Sequence, residues 1–552
     1  MLNVELQLTK ASVWRKSTIG SKTVWFRGYV NGVSRDVLVG EAAHQTAKSL
    51  PEWLRNIDGH FAVVVQSPRF FFAASDRIGS CPLLWSLNAE SLYVSDSGPA
   101  MEKELGLGPS SVDHDVASAF ALSGYSIADR TVYHKVKLLG PGDYVWRDEY
   151  EHGIETYATW RPVEGLDTAS YQPSKLNELH ERMFDKLVSS LDGRPVVVPL
   201  SAGLDSRFIA SGLKRWGYEN VVCVSYGIPD NPDATIARTV ADRLGYEWHF
   251  IPYSNQLFRR AYYSDDYAEY MRFADTLSSV HFVGEYLMMA QLKEGGHLDE
   301  RAIIINGQSG DFLTGNHIPA ALLDGNRDPA QRMQTIISAF VEKHYKLWNS
   351  LKRTPHIDLI EALLEKEIEN VGGLPDKLIE DYGLYEQLEF INRQSKYVIG
   401  SVRTYEYFGH EWRLPLWDME YLKFWEGAPL NAKAHQTLYK QTLRESNWGE
   451  VWQNIHINPQ RISPKWIIPI RVFLKILFAP FGRQAWHQFE RRFLDYFMTT
   501  TCGYAPWTYF EVVTDSRKPF NALAFYIEHY LREKGIEWDG RPKISNARDF
   551  LN

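Results

Sequence analysis

Cysteine is scarce in this chain: three in 552 residues, Cys81, Cys223 and Cys502, far apart and with no CxxC pair. A disulfide framework or a zinc site is therefore not expected, and a reducing compartment fits. Basic excess is missing too. The formal net charge of -8 argues against a general nucleic-acid binder, which needs a positive surface to displace counterions. No run of about 18 apolar residues occurs, so no membrane span is expected. The opening stretch MLNVELQLTKASVWRK lacks the apolar core and small-residue cleavage site of a signal peptide. A cytoplasmic protein is the expectation. At this length a single hydrophobic core is also excluded, so two or more domains are expected.

Up to about Tyr157 the chain reads as short strands separated by turns. VWFRGYVNG, HFAVVVQS, RFFFAAS and SLYVSD are apolar, β-branched or aromatic runs punctuated by Asn, Gly, Asp, Pro or Ser. LLGPGDYVW adds a turn and a strand, and a helix is expected around Asp115 to Ser123. The segment WRPVEGLDTASYQPS looks like a linker. Beyond it, Leu176, Leu179, Met183 and Leu187 recur at helical spacing. PVVVPL, NVVCVSYG and AIIING are short continuous apolar runs of the kind buried on both faces of a parallel sheet. Helical segments alternate with them (FIASGLKRWG, ATIARTVADRLG), which predicts a doubly wound α/β sheet. After about residue 330 the chain reads as mostly helical. The division expected is 1–160 and 170–552.

The chemistry concentrates where PVVVPL ends. Ser201, Ala202, Gly203, Leu204, Asp205 and Ser206 form a small-residue turn between a buried strand and a helix. Such a turn exposes main-chain N–H groups and the positive end of the helix dipole, a geometry that binds phosphate oxygens. Ser201 and Ser206 add hydroxyls. Asp205 would repel a phosphate, so it is better explained as a Mg²⁺ ligand. Ser225, in the second buried run, is taken as a further nucleotide contact. No Lys follows the glycine, so this is not a GxxxxGK[ST] loop.

The loop resembles the SGGxDS pyrophosphate loop of the adenylating N-type ATP pyrophosphatases, with Ala202 in place of the first Gly. Ala202 must then accept ordinary backbone angles or hold a strained φ. The cluster Asn306, Gly307, Gln308, Ser309, Gly310, Asp311 resembles the SGEGxDE segment of asparagine synthetases. That resemblance gives Asp311 a share in holding Mg-pyrophosphate and puts Gly307 beside the nucleotide. Gln308 stands where the family has Glu, and an amide cannot act as a general base. GHEWRLPLWD, with Glu411, Arg413, Pro415 and Asp418 in register, resembles the family's GVExRxPFLD signature. It reads as structural: a charge pair ordering the helices around the site and a proline-set turn. LYKQTLRES resembles the K-x-x-LR helix that precedes the family's catalytic lysine loop. Lys465 is the candidate for that lysine, Lys440 the reserve and Gln308 the third catalytic candidate.

The first part resembles a class II glutamine amidotransferase domain. Asp58, Gly59, Phe61 and Ala62 match its L-x-G-x-F-A pattern. Asp76, Arg77, Gly79, Pro82 and Leu83 match R-D-x-x-G-x-x-PL, and LLGPGDY matches the LPPG turn. Together the resemblances run from about residue 20 to about residue 450. Residue 2 is Leu where active members carry a nucleophilic Cys, and RGPD and NGEIYN strings are absent. The first domain is then expected to be a structural remnant or a docking surface, without glutaminase activity. The resemblance implies an Ntn-hydrolase-like α+β domain followed by an ATP-pyrophosphatase domain, with ATP and Mg²⁺ as cofactors. The implied reaction joins a small-molecule carboxylate to ammonia or an amine, releasing AMP and pyrophosphate. A separate glutaminase is one nitrogen source. A uronic acid of a surface polysaccharide is the leading substrate. Aspartate, an intramolecular cyclisation and a non-catalytic nucleotide- or partner-binding role stay open.

KWIIPIRVFLKILFAPFGR, Lys465 to Arg483, is too short and too charged to span a membrane. Its preferred reading is a buried helix whose cationic stems cover apolar neighbours. The alternative is a basic amphipathic helix resting on an anionic lipid surface.

Overall fold

The computed structural model describes residues 2–9, 13–88, 91–165, 168–281, 283–323, 328–351, 355–457 and 462–538. Two antiparallel-rich sheets make up the first part. One has six strands, in the order His152–Thr156, Asp143–Asp148, Phe70–Ser75, Gly59–Gln66, Lys22–Val30, Arg15–Ile19. The other has four, and Val4–Gln7 runs parallel to Leu92–Ser95 in it. Strict alternation in Gly59–Gln66 feeds both faces of the larger sheet. Phe61, Val63 and Val65 lie under the helices Arg35–His44 and Leu50–Arg55, whereas Ala62 and Val64 face the main core.

The second part is built on a five-stranded parallel sheet. Its order is Glu247–Pro252, Val221–Gly227, Val196–Pro199, Ile303–Ile305, Glu411–Arg413. The three apolar runs read from the sequence are its three central strands, and helices Leu204–Arg215 and Pro232–Leu244 alternate with them. The fold is thus mixed α/β, an amidotransferase-type α+β unit followed by a doubly wound parallel sheet, as the sequence implies. Its two edge strands were not anticipated. Both carry polar residues, and Glu247–Pro252 is also partly exposed, so neither gives a continuous apolar run.

Buried charge joins the two parts. Arg27 donates from Nε to Glu406 Oε1 at 2.9 Å and lies 3.4 Å from Asp96, and Arg403 lies 3.8 Å from the same carboxylate. Lys186 bridges Asp58 and Asp418, 3.2 Å from each. Arg413 pairs with Glu411 at 3.4 Å and stacks over the ring of Tyr29 at 4.2 Å. The Glu411–Arg413 pair lies at the seam between the parts, where Arg413 also donates to Ser190 O at the end of the helix Pro173–Ser189.

The helix expected to be buried is not. In Ile467–Phe478 only Ile467 is buried, and Phe473, Ile476 and Leu477 stand in solvent. An all-round apolar pattern implies a covered helix, but here only one face is packed, against the helix Gly482–Phe493.

Candidate functional site

The strand Val196–Pro199 delivers the chain to a turn from which the helix Leu204–Arg215 starts at Gly203 without a side-chain cap. Its first N–H groups are thus left for another partner. Ser201, Gly203, Leu204, Asp205 and Ser206 line a cavity of about 440 Å³. Within the turn, Ser201 N donates to Ser206 Oγ at 3.0 Å and Gly203 N to Ser201 Oγ at 3.2 Å. Ala202 lies outside the left-handed region and is fully buried, and its N–H donates to Asp233 Oδ1 at 3.2 Å. The structure thus places Ala202 behind the turn, while its neighbours reach the cavity. Arg207 fixes the turn from below. Its guanidinium donates to Ala202 O and to the carbonyls of Val451, Ile455 and His456, and burial lowers its pKa to about 10.

The strand Ile303–Ile305 runs parallel beside Val196–Pro199 and ends at the same edge of the sheet. Two glycines then let its loop touch the first one. A Cβ at Gly307 would meet the Asp205 carbonyl carbon at 2.8 Å, and one at Gly310 would meet Asp205 Cγ at 2.5 Å. Asp205 Oδ2 accepts from Asp311 N at 3.0 Å, and Oδ1 accepts from Tyr439 OH at 3.2 Å. Burial, and then the neighbouring Asp311 charge, push the Asp205 carboxyl up to about 8. Burial alone would raise Asp311 as well, but His317 Nε2 at 3.1 Å holds it below the ordinary carboxylate value. His317 also bonds Glu389 through Nδ1; burial opposes its charge, but Glu389 and Asp311 together raise it to about 9. Lys343 Nζ closes the rear of this chain, 3.1 Å from Glu389 Oε2.

Four carboxylates line the cavity, Asp205, Asp233, Glu285 and Asp311, and among the described residues no lysine or arginine does. Glu285 is the unforeseen member. It projects from the helix Val283–Glu294, and burial raises its pKa to about 7 against hydrogen bonds from Ser401 and Tyr405. Beside it, Gln308 Oε1 accepts from Ser401 Oγ at 3.2 Å. Glu285 Oε2 and Gln308 Nε2 are both buried without a hydrogen-bond partner among the described residues. Such atoms are costly unless something arrives to bond them.

Several sequence candidates sit elsewhere. Ser225 lines the cavity, but its hydroxyl is engaged, donating to Leu200 O at 2.7 Å and accepting from Trp248 Nε1 at 3.0 Å. Lys440 turns away on the helix Thr437–Ser446 and donates to His435 O at 2.8 Å; its neighbour Tyr439 is the residue that reaches Asp205. Lys465 is exposed just before the helix Ile467–Phe478 and does not line the cavity. Residues 458–461, ahead of it, lie outside the described residues. Neither Glu285 nor His317 belongs to a motif, so nothing in the sequence marked them beforehand.

The asparagine synthase family matches residues 189–451, and the glutamine amidotransferase domain family matches residues 42–158. No curated protein matches. One similar solved structure is described as the allosteric regulatory enzyme of purine biosynthesis: 12% identity over 43% of this chain and 61% of that one, TM-score 0.18. Another is glutamine phosphoribosylpyrophosphate amidotransferase from B. subtilis complexed with ADP and GMP: 13% identity over 54% of this chain and 64% of that one, TM-score 0.18. The chain thus spans under two thirds of either protein's length.

Proposed function

We propose that the chain is an ATP-dependent amide-forming ligase of the asparagine synthetase type, a reading supported by its matches to an amidotransferase domain family and, after it, the asparagine synthase family. A carboxylate substrate is adenylated by ATP and then joined to ammonia or an amine, releasing AMP and pyrophosphate. The observation that carries this reading is the contact of two motif loops, Asp311 N on Asp205 Oδ2, at an uncapped helix start facing a cavity. Ser201 and Ser206 hydroxyls and the N–H groups at the start of the helix would take phosphate oxygens. Each carboxylate oxygen of Asp205 and Asp311 already has one hydrogen-bond partner and keeps a lone pair that suits a divalent cation: four lining carboxylates without a lysine or arginine would otherwise repel a polyphosphate. Bound there, Mg²⁺ would neutralise phosphate charge.

Gln308 Nε2 is a buried donor in want of an acceptor, which an acyl or carboxylate oxygen supplies. Gln308 cannot take a proton, but Glu285 can. A carboxyl held near 7 is matched to removing a proton from the attacking amine at neutral pH. Amide and hydroxyl side chains (Asn306, Asn316, Gln436, Thr500, Thr501) complete the lining. They suit a polyhydroxylated acid such as a uronic acid better than aspartate, whose second carboxylate would need a cation. The first domain supplies no nitrogen on this reading. Cys81 is its single cysteine, and burial pushes that thiol up to about 12, far from a thiolate. Ammonia, a separate glutaminase or a substrate amine is then the source. The division into 1–160 and 170–552 is kept as part of this proposal, with the connecting residues 160–165 running along 422–427 through Trp160, Val163 and Gly165.

ATP–pyrophosphate exchange with a panel of acids tests the reading. Exchange stimulated by glucuronate or galacturonate and not by aspartate is expected. Stimulation by aspartate alone would overturn the substrate, and ATP turnover without pyrophosphate release would overturn adenylation.

A further inference from the structure

The helix Ile467–Phe478 and its partner Gly482–Phe493 form a hairpin with a small core of its own, centred on Ile467, Trp486 and Leu494. Ile467, Arg471, Leu474 and Phe478, three or four residues apart, face the partner helix. Arg471 pairs there with Glu490 and stacks over Trp486. The opposite face is apolar as well, and it is bare. Of the fourteen exposed large apolar side chains among the described residues, eight fall between Trp466 and Phe481, with Phe473 62%, Ile476 67% and Phe481 71% exposed. Soluble surfaces scatter such residues singly, and a contiguous set marks a contact site.

Charge says what the contact is with. From Lys465 to Phe489 the chain holds no Asp or Glu, and Lys465, Lys475 and Arg483 are exposed beside the apolar side chains. A second copy of the chain would bring the same cations against themselves across a two-fold contact. An anionic lipid surface instead offers apolar depth to the bare side chains and negative headgroups to the cations. No helix among the described residues is long and apolar enough to cross a membrane, so the geometry is that of a helix lying in the interface.

We propose that this hairpin docks the protein on anionic membrane surfaces, with Trp466, Phe473, Ile476, Leu477 and Phe481 entering the headgroup layer and Lys475 and Arg483 pairing with lipid phosphates. The inference does not depend on the substrate reading. It does add a consequence: the chain leaving the hairpin reaches the ligand cavity at Thr500 and Thr501 within a few residues.

The test is co-sedimentation of the full chain with vesicles of phosphatidylcholine alone and of phosphatidylglycerol mixed into phosphatidylcholine, at physiological salt. Pelleting with the mixed vesicles and not with the neutral ones is expected. Phe473→Ser/Leu477→Ser should abolish it, and Lys475→Glu/Arg483→Glu should abolish it separately, both with unchanged thermal melts. All four side chains project from the surface, so each variant should fold. Absence of pelleting, equal pelleting with both vesicles, or a concentration-dependent dimer that Phe473→Ser/Leu477→Ser dissociates without any lipid binding would each overturn the proposal.

Discussion

Buried carboxylates in the two halves of the molecule are treated in opposite ways. In the amidotransferase-type half Asp76 and Asp96 are saturated by the protein itself. Asp76 accepts from Phe61 N, Ile78 N and Ser80 N at 2.7, 2.8 and 3.2 Å, and from the Ser80 hydroxyl. Asp96 accepts from Thr9 and Trp14 and faces both Arg27 and Arg403. In the synthase half burial, and then the Asp311 charge, push the Asp205 carboxyl up to about 8, and Gln308 and Glu285 each keep an unbonded buried atom in the cavity wall. A saturated interior holds shape, whereas an unsaturated one awaits a ligand. On the proposed function, the motifs of the first half serve as scaffold and those of the second carry the chemistry.

That contrast can be broken by substitution on either side. The largest effect is expected at the loop contact. Asp205→Asn or Asp311→Asn should cost several kcal/mol of transition-state stabilisation, about a thousandfold in ATP-dependent turnover, read as amide formed per ATP.

Glu285→Gln comes next, at about a hundredfold, and it should divide the two chemical steps. ATP–pyrophosphate exchange should persist while amide formation falls. In the wild type the amide rate should rise with pH through about 7 as the carboxyl ionises, and the variant should lack that limb. Stability runs the other way. The folded carboxyl titrates near 7 and its ordinary value is 4.5, so the folded state binds the extra proton between them. Stability from this group is full below 4.5 and declines as pH rises to about 7. Denaturation of the variant across that window should show no such decline.

On the saturated side the losses should be structural. Arg27→Met strands Asp96 and Glu406 without their buried cation and should destabilise by about 3 kcal/mol or more in urea unfolding. The protein that remains folded should keep its pyrophosphate exchange. The smallest effect is expected at Cys81. Cys81→Ala removes a buried thiol far from ionising and should leave nitrogen use unchanged, with ammonia as donor and with glutamine supporting no synthesis in either protein.

Much of this site was legible in the chain itself. The apolar run Val196–Pro199 and the small residues after it could only be a buried strand and a tight turn, and Asp311 followed a second such run. Position within a motif did not give orientation, however. Tyr439 and Lys440 are adjacent on one helix, so they point about 100° apart, and only one can face Asp205. Glu285 and His317 carried no local signal, since their role comes from contacts with residues more than seventy positions away or from a helix whose entry only the fold sets. The bare hairpin misled for a related reason. Apolar residues all around a helix report that it avoids water, not what it lies against.

Calorimetric titration of ATP, with and without Mg²⁺, into the wild-type protein and Asp205→Asn tests the central claim most directly. The account predicts tight binding that needs Mg²⁺ and is lost in Asp205→Asn. ATP bound equally well without the cation, or undiminished in the variant, would contradict it.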